Sequence, residues 1–206
     1  MNFLKGIHYR SRIFYDALDL LKLGRKRFFR FQIAAQHIKP GESVIDVCAG
    51  CGALKDFILR DCAYTAVEAS PEFSLTLKQK GIECISCDLH RGWPESIPTA
   101  DVIVMVISLC QFRDTSAERL LESFKKAAKR VVIVEEVLKK PRLKGSWFQK
   151  LINYLCATDF YVPVDSWYTG SEFEKLMQNH GYQCEKTSGR YRVGSYGFNP
   201  GQDKVS

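Results

Sequence analysis

Eleven residues constrain this chain more than any others: Val44-Ile-Asp-Val-Cys-Ala-Gly-Cys-Gly-Ala-Leu54. Val44, Ile45 and Val47 around Asp46 read as a short strand ending near the aspartate, covered on both faces. Gly50 and Gly52 then mark a tight turn, and a helical pattern opens at about Ala53. Glycine suits a turn that a ligand must approach closely, or one that needs positive φ. A helix start presents free N–H groups to such a ligand. Strand, glycine turn and helix together are half of a βαβ crossover, so a parallel sheet is the first expectation. Taken alone, the same glycines fit a tight turn with no ligand at all.

The rest of the chain repeats the pattern. Residues 64–68, 82–87, 101–107 and 130–137 read as further strands, the fourth strand of the series (101–107) almost wholly apolar. Between them lie Ser70-Pro71-Glu72, a helix start with proline at the first helical position, and residues 116–129. The latter set Leu120, Leu121, Phe124, Ala127 and Ala128 on one side of a helix. The end of the chain breaks the alternation. After a helical stretch at 171–180, two β-type runs (182–187 and 191–198) are joined by Ser188-Gly189-Arg190 alone. So short a link allows an antiparallel hairpin and no parallel crossover. The fold expected is therefore α/β: a doubly wound, mostly parallel seven-stranded sheet with helices on both faces and an antiparallel C-terminal hairpin.

At 206 residues, 46% hydrophobic and 26% charged, the chain fits one globular domain over 1–206. The longest apolar run, 102–110, is about half of what a membrane-crossing helix needs. No signal-peptide pattern opens the chain and no Asn-X-Ser/Thr site occurs, so a cytoplasmic protein with its eight cysteines reduced is expected. The net charge of +7 resides entirely in residues 1–39, which carry nine Lys/Arg against Asp16 and Asp19. This basic helical arm suits phosphate groups or an anionic membrane surface, and equally a solvated helix face. A second special region, 138–168, is an aromatic-rich insertion with the character of a lid.

Acidic residues complete the main motif. Glu68 lies 22 positions after Asp46 at the end of the next strand. That is where a nucleotide-binding α/β sheet places a carboxylate to accept from two ribose hydroxyls. Asp88 ends the third strand likewise, so three acids are expected to converge on one crevice at the carboxyl edge of the sheet. On these residues the chain resembles the class I S-adenosylmethionine-dependent methyltransferases, over roughly residues 40–200. Asp46, Gly50 and Gly52 match the glycine motif of that family, with Cys48 in place of its first glycine. The resemblance implies S-adenosylmethionine as cofactor, bound by Asp46, Cys48, Ala49, Gly50, Gly52 and Ala69 and, at the ribose, by Glu68. It further implies Asp88 and Leu89 at the adenine, and Val106 and the end of its strand beside the methionine part and the acceptor. Phe14-Tyr15-Asp16 before an Arg-rich helix is similar, over a short stretch, to methyltransferases of quinone and phospholipid biosynthesis.

Other readings fit less well. A nicotinamide dehydrogenase would want a third glycine where Lys55 stands, because that glycine lets helix and strand pack closely. Cys48-x-x-Cys51 and Cys84-x-x-Cys87 imitate two zinc-ligand pairs, but 33 positions separate them and the first is embedded in the glycine turn. A methyltransferase acting on nucleic acid or protein through the basic arm is the alternative kept. Against it, Ser108-Leu-Cys-Gln111 lacks the Asn/Asp-Pro-Pro-aromatic signature of amino-group methylation. A binding module that has lost turnover is the non-enzymatic alternative.

Methyl transfer requires chiefly that the acceptor be held in line in a dry pocket, so no catalytic base is singled out. Candidate acceptor contacts are Tyr9, Tyr15, Gln111, Trp147, Tyr154 and Tyr161. An aromatic lid beside a basic arm suits a small or lipid-like acceptor with an anionic end, with peripheral association to an anionic membrane.

Overall fold

The computed structural model describes residues 28–113, 116–138, 167–187 and 190–198. Seven strands form one sheet: β1 (Ser43–Val47), β2 (Ala63–Glu68), β3 (Glu83–Ser86), β4 (Ala100–Val106), β5 (Ala128–Glu136), β6 (Gln183–Lys186) and β7 (Tyr191–Tyr196). Their order is β3-β2-β1-β4-β5-β7-β6. The first five strands run parallel, and β7 pairs antiparallel with both β5 and β6. The expected sheet and its reversed hairpin are thus found.

Among the described residues, four α-helices accompany the sheet: α1 (Phe29–Ala35), α2 (Pro71–Gln79), α3 (Ala117–Ala127) and α4 (Gly170–Asn179). On one face, Ile33 and Ala34 of α1 and Leu77 of α2 pack with Val44, Val102, Val104 and Val132. On the other, Leu120, Leu121 and Phe124 of α3 and Phe173 and Met177 of α4 cover Ile45, Ile103, Met105 and Ile133. Both faces are therefore dry, which is why the central strands read as apolar runs without alternation.

Local chemistry sets the helix ends. Ser70 accepts from the Phe73 N–H ahead of Pro71 and so caps α2. Thr169 and Glu172 form a reciprocal capping box at α4. Only two residues separate the end of α3 from the expected end of its helical pattern, because the chain extends into β5 at Ala128.

One expectation needs correction. The helix anticipated from Ala53 is a single 3₁₀ turn, Ala53–Phe57, and Ile58 is already extended. Gly52 precedes it with φ 73 and no side-chain cap, so nothing at its start offsets the cost of nucleating a longer helix.

Candidate functional site

Register across the sheet builds the site. Ile85, Val67, Val47, Met105 and Ile133 stand in one row across five parallel strands. One residue further on, Ser86 pairs with Glu68 and Val106 with Val134, so Glu68, Cys48 and Val106 emerge together at the carboxyl edge. Cys48, Ala49, Gly50, Cys87, Asp88, Val106 and Gln111 are all half-buried there, and Ala69 is exposed.

The turn after β1 is held by its neighbours. Ala49 N–H donates to the Val67 carbonyl at 3.2 Å and Gly52 N–H to the Ala49 carbonyl at 2.9 Å. The Glu68 carboxylate accepts from Gly50 N–H at 2.8 Å through Oε2 and from Ser70 N–H at 2.7 Å through Oε1. These bonds correct the expectation that the turn presents a row of free N–H groups, since Ala49, Gly50 and Gly52 all donate within the protein. What the turn offers instead is an open backbone. A Cβ built on Gly50, at φ 56, meets nothing within 4 Å. Gly52 has a different cause: a Cβ there falls 2.7 Å from Leu77 Cδ2 and 3.1 Å from Ile82 Cδ1. One glycine leaves room for a ligand and the other lets α2 close on the sheet.

Cys48 adopts φ 57, where a side chain is disfavoured and glycine is at ease. Burial pushes its thiol well above the usual range, and the nearby Glu68 and Asp46 charges add to this. A raised pKa keeps the thiol in its neutral form at pH 7.

The three acids do not stand alike. Asp46 is the penultimate residue of β1, 3% exposed, and accepts a hydrogen bond from the Tyr64 hydroxyl. Burial raises its pKa to about 7, opposed by that hydrogen bond and assisted by the Glu68 charge. It stands in β1 one residue before the strand ends, close enough to Glu68 and Cys48 for their charges to interact. Burial also raises the Glu68 carboxyl, while the N–H groups of Ser70, Gly50 and Ala69 oppose the rise. Asp88 lies two residues beyond β3 and accepts from His90 N–H at 3.0 Å, with Arg91 Nε 3.5 Å away. Leu89, next to it, is buried in the core and supports the edge from below.

Beyond β4 the chain kinks at Ile107, φ 51, and enters a 3₁₀ turn, Leu109–Phe112, that carries Gln111. Sequence reasoning missed what holds this kink. Glu135, 1% exposed near the end of β5, accepts from Leu109 N–H at 2.9 Å and Cys110 N–H at 3.3 Å. Its signal was the pair Glu135-Glu136 closing an otherwise apolar strand, where two carboxylates have no hydrophobic reason to be. Tyr9, Tyr15, Trp147, Tyr154 and Tyr161 lie outside the described residues, as do most of the basic arm and most of the aromatic insertion. No helix among the described residues is long and apolar enough to cross a membrane.

Comparisons with known proteins agree with this geometry. The family described as "Methyltransferase domain" matches residues 9–187. DhpI, solved as its SAH complex, superposes with a TM-score of 0.65 at 16% identity, covering 93% of this chain and 94% of its own. A SAM-dependent methyltransferase from Thermotoga maritima, described as a possible histamine N-methyltransferase, gives 0.64 at 16% identity, covering 93% and 98%. The mitomycin 7-O-methyltransferase MmcR gives 0.59 at 19% identity, with 92% of this chain covered. The present chain spans 58% of MmcR. No curated protein matches the sequence significantly.

Proposed function

Because this chain belongs to the methyltransferase-domain family and has the class I S-adenosylmethionine-dependent fold, we propose that it transfers the methyl group of S-adenosylmethionine to a small-molecule acceptor. The observation that carries this reading is Glu68. Its two oxygens accept from the Gly50 and Ser70 N–H groups, and a carboxylate retains acceptor lone pairs beyond those bonds. A vicinal diol such as a ribose fits those lone pairs, and open backbone at Gly50 fits a close-lying chain. Ala69, Asp88 and Leu89 would border the adenine, and Cys48, Ala49 and Val106 the methionine portion.

S-adenosylmethionine, when bound, supplies a sulfonium-activated methyl whose leaving group is a neutral thioether. The chain's own task is then to orient the acceptor and exclude water. In this reading Ser108 and Gln111 line the acceptor side, since their turn adjoins the Cys48 turn. MmcR and the Thermotoga protein carry names for oxygen and nitrogen acceptors on small molecules. That range supports a small molecule and leaves the acceptor atom to experiment.

The finer reading, a lipid-like or quinone-type acceptor with an anionic end, is supported by the basic segment 1–39 and the aromatic segment 138–168. The test is transfer of a labelled methyl from S-adenosylmethionine to three acceptor sets: small phenols, small amines and long-chain quinone precursors. Incorporation is expected in the last set and should weaken when Arg25, Lys26 and Arg27 are replaced by Gln. Incorporation confined to short amines would remove the lipid-like reading. Absence of incorporation in every set, despite bound cofactor, would favour a binding module.

A further inference from the structure

We propose that Glu135 is a positioning residue: its buried carboxylate holds the kinked exit of β4 and thereby shapes the wall of the crevice beside the glycine turn. The inference rests on the methyltransferase reading only for what that crevice binds. Ile107 is the reason a holding group is needed. A β-branched residue at φ 51 is a strained conformation, worth on the order of 1–3 kcal/mol, and it persists only where neighbours over-determine it.

Three bonds do so. Ile107 N–H donates to the Val134 carbonyl at 2.7 Å, which ties the kink to β5. Leu109 and Cys110 N–H both converge on Glu135 Oε2, which ties the following turn to the same strand. Without that oxygen, two N–H groups in a region excluded from water would lose their acceptor, and the turn would have no reason to stay against β5. Ser108, between kink and turn, is buried and donates from Oγ to the Val106 carbonyl at 3.2 Å, which ties the turn back to the end of β4. β4 pairs directly with β1, Met105 opposite Val47, so loosening the exit of β4 reaches the start of the glycine turn through the sheet.

Four variants test this: Glu135→Ala, Glu135→Gln, Ile107→Gly and the double variant Ile107→Gly with Glu135→Ala. Two measurements are made on each, S-adenosylhomocysteine affinity by calorimetry and backbone amide exchange at Leu109 and Cys110. Glu135→Ala is expected to weaken affinity about tenfold and to lose protection at those two amides while the sheet stays protected. Glu135→Gln keeps one oxygen for both N–H groups and should restore affinity to within about twofold of wild type. Glycine at 107 removes the strain, so the double variant should bind better than Glu135→Ala alone, a non-additivity that a merely structural carboxylate would not produce.

Wild-type affinity in Glu135→Ala, a Gln variant as weak as Ala, or strict additivity in the double variant would each overturn the proposal. Wild-type protein that fails to bind S-adenosylhomocysteine would instead overturn the cofactor reading. In that event the positioning of the turn is judged by the two amides alone.

Discussion

Gly50 and Gly52 are two positions apart and do different work. Gly50→Ala adds a methyl to open space, so its stability cost is the positive-φ penalty alone, about 1 kcal/mol. Gly52→Ala adds a clash with the fully buried Leu77 and should cost about 2–4 kcal/mol in denaturant titration. Ligand affinity should show the reverse order, with Gly50→Ala the more damaging of the two. At Cys48, φ 57 predicts that Cys48→Gly is more stable than Cys48→Ala by about 0.5–1 kcal/mol, readable as a higher Tm. The glycine motif was visible in the sequence, but these separate roles were not. Which glycine meets Leu77 depends on where α2 packs, and no local pattern encodes that. Glu135 escaped notice for a related reason: its partners, Leu109 and Cys110, lie 26 and 25 positions away.

Elements were more legible than residues. The inner strands could be placed from apolar runs, because burial on both faces leaves its mark on composition, whereas the exposed edge strands β3 and β6 were placed by β-type residues and the short links beside them. The exception is the stretch after Gly52, where Ala53-Leu-Lys-Asp-Phe57 has helical spacing but forms one 3₁₀ turn. Helix spacing cannot report a missing cap or the extended Ile58 that ends the turn. Helix α3 shows the converse, since its apolar stripe corresponds to packing in the core. Phe124, fully buried between α3 and the sheet, should cost about 3–5 kcal/mol as Phe124→Ala. Thr169→Ala removes one half of the capping box of α4 and should cost about 1 kcal/mol. Both are checked by chemical denaturation.

At the scale of the whole molecule, two buried carboxyls set a pH dependence. Burial raises Glu135 from 4.5 to about 8 and Asp46 from 3.8 to about 7. Between these limits the folded protein keeps protons that the unfolded chain releases. Stability therefore falls as pH rises from about 4 to 8 and levels off above, by on the order of a few kcal/mol. Thermal unfolding should show a higher Tm at pH 5.5 than at pH 8, and Glu135→Gln should flatten that slope. A Tm that climbs across the same interval would contradict the burial of both groups as described.

Glu68 and Asp88 at the carboxyl edge, together with the turn around Gly50, form the proposed cofactor site. Calorimetric titration with S-adenosylhomocysteine tests it most directly, run beside NAD on wild type, Glu68→Gln and Glu68→Ala. Micromolar binding by wild type and none to NAD is expected. Glu68→Ala should weaken binding at least about tenfold, because it removes the proposed ribose acceptor and the partner of Gly50 N–H together. Glu68→Gln should fall between the two. Binding of NAD in place of S-adenosylhomocysteine, or S-adenosylhomocysteine affinity unchanged in Glu68→Ala, would contradict the account.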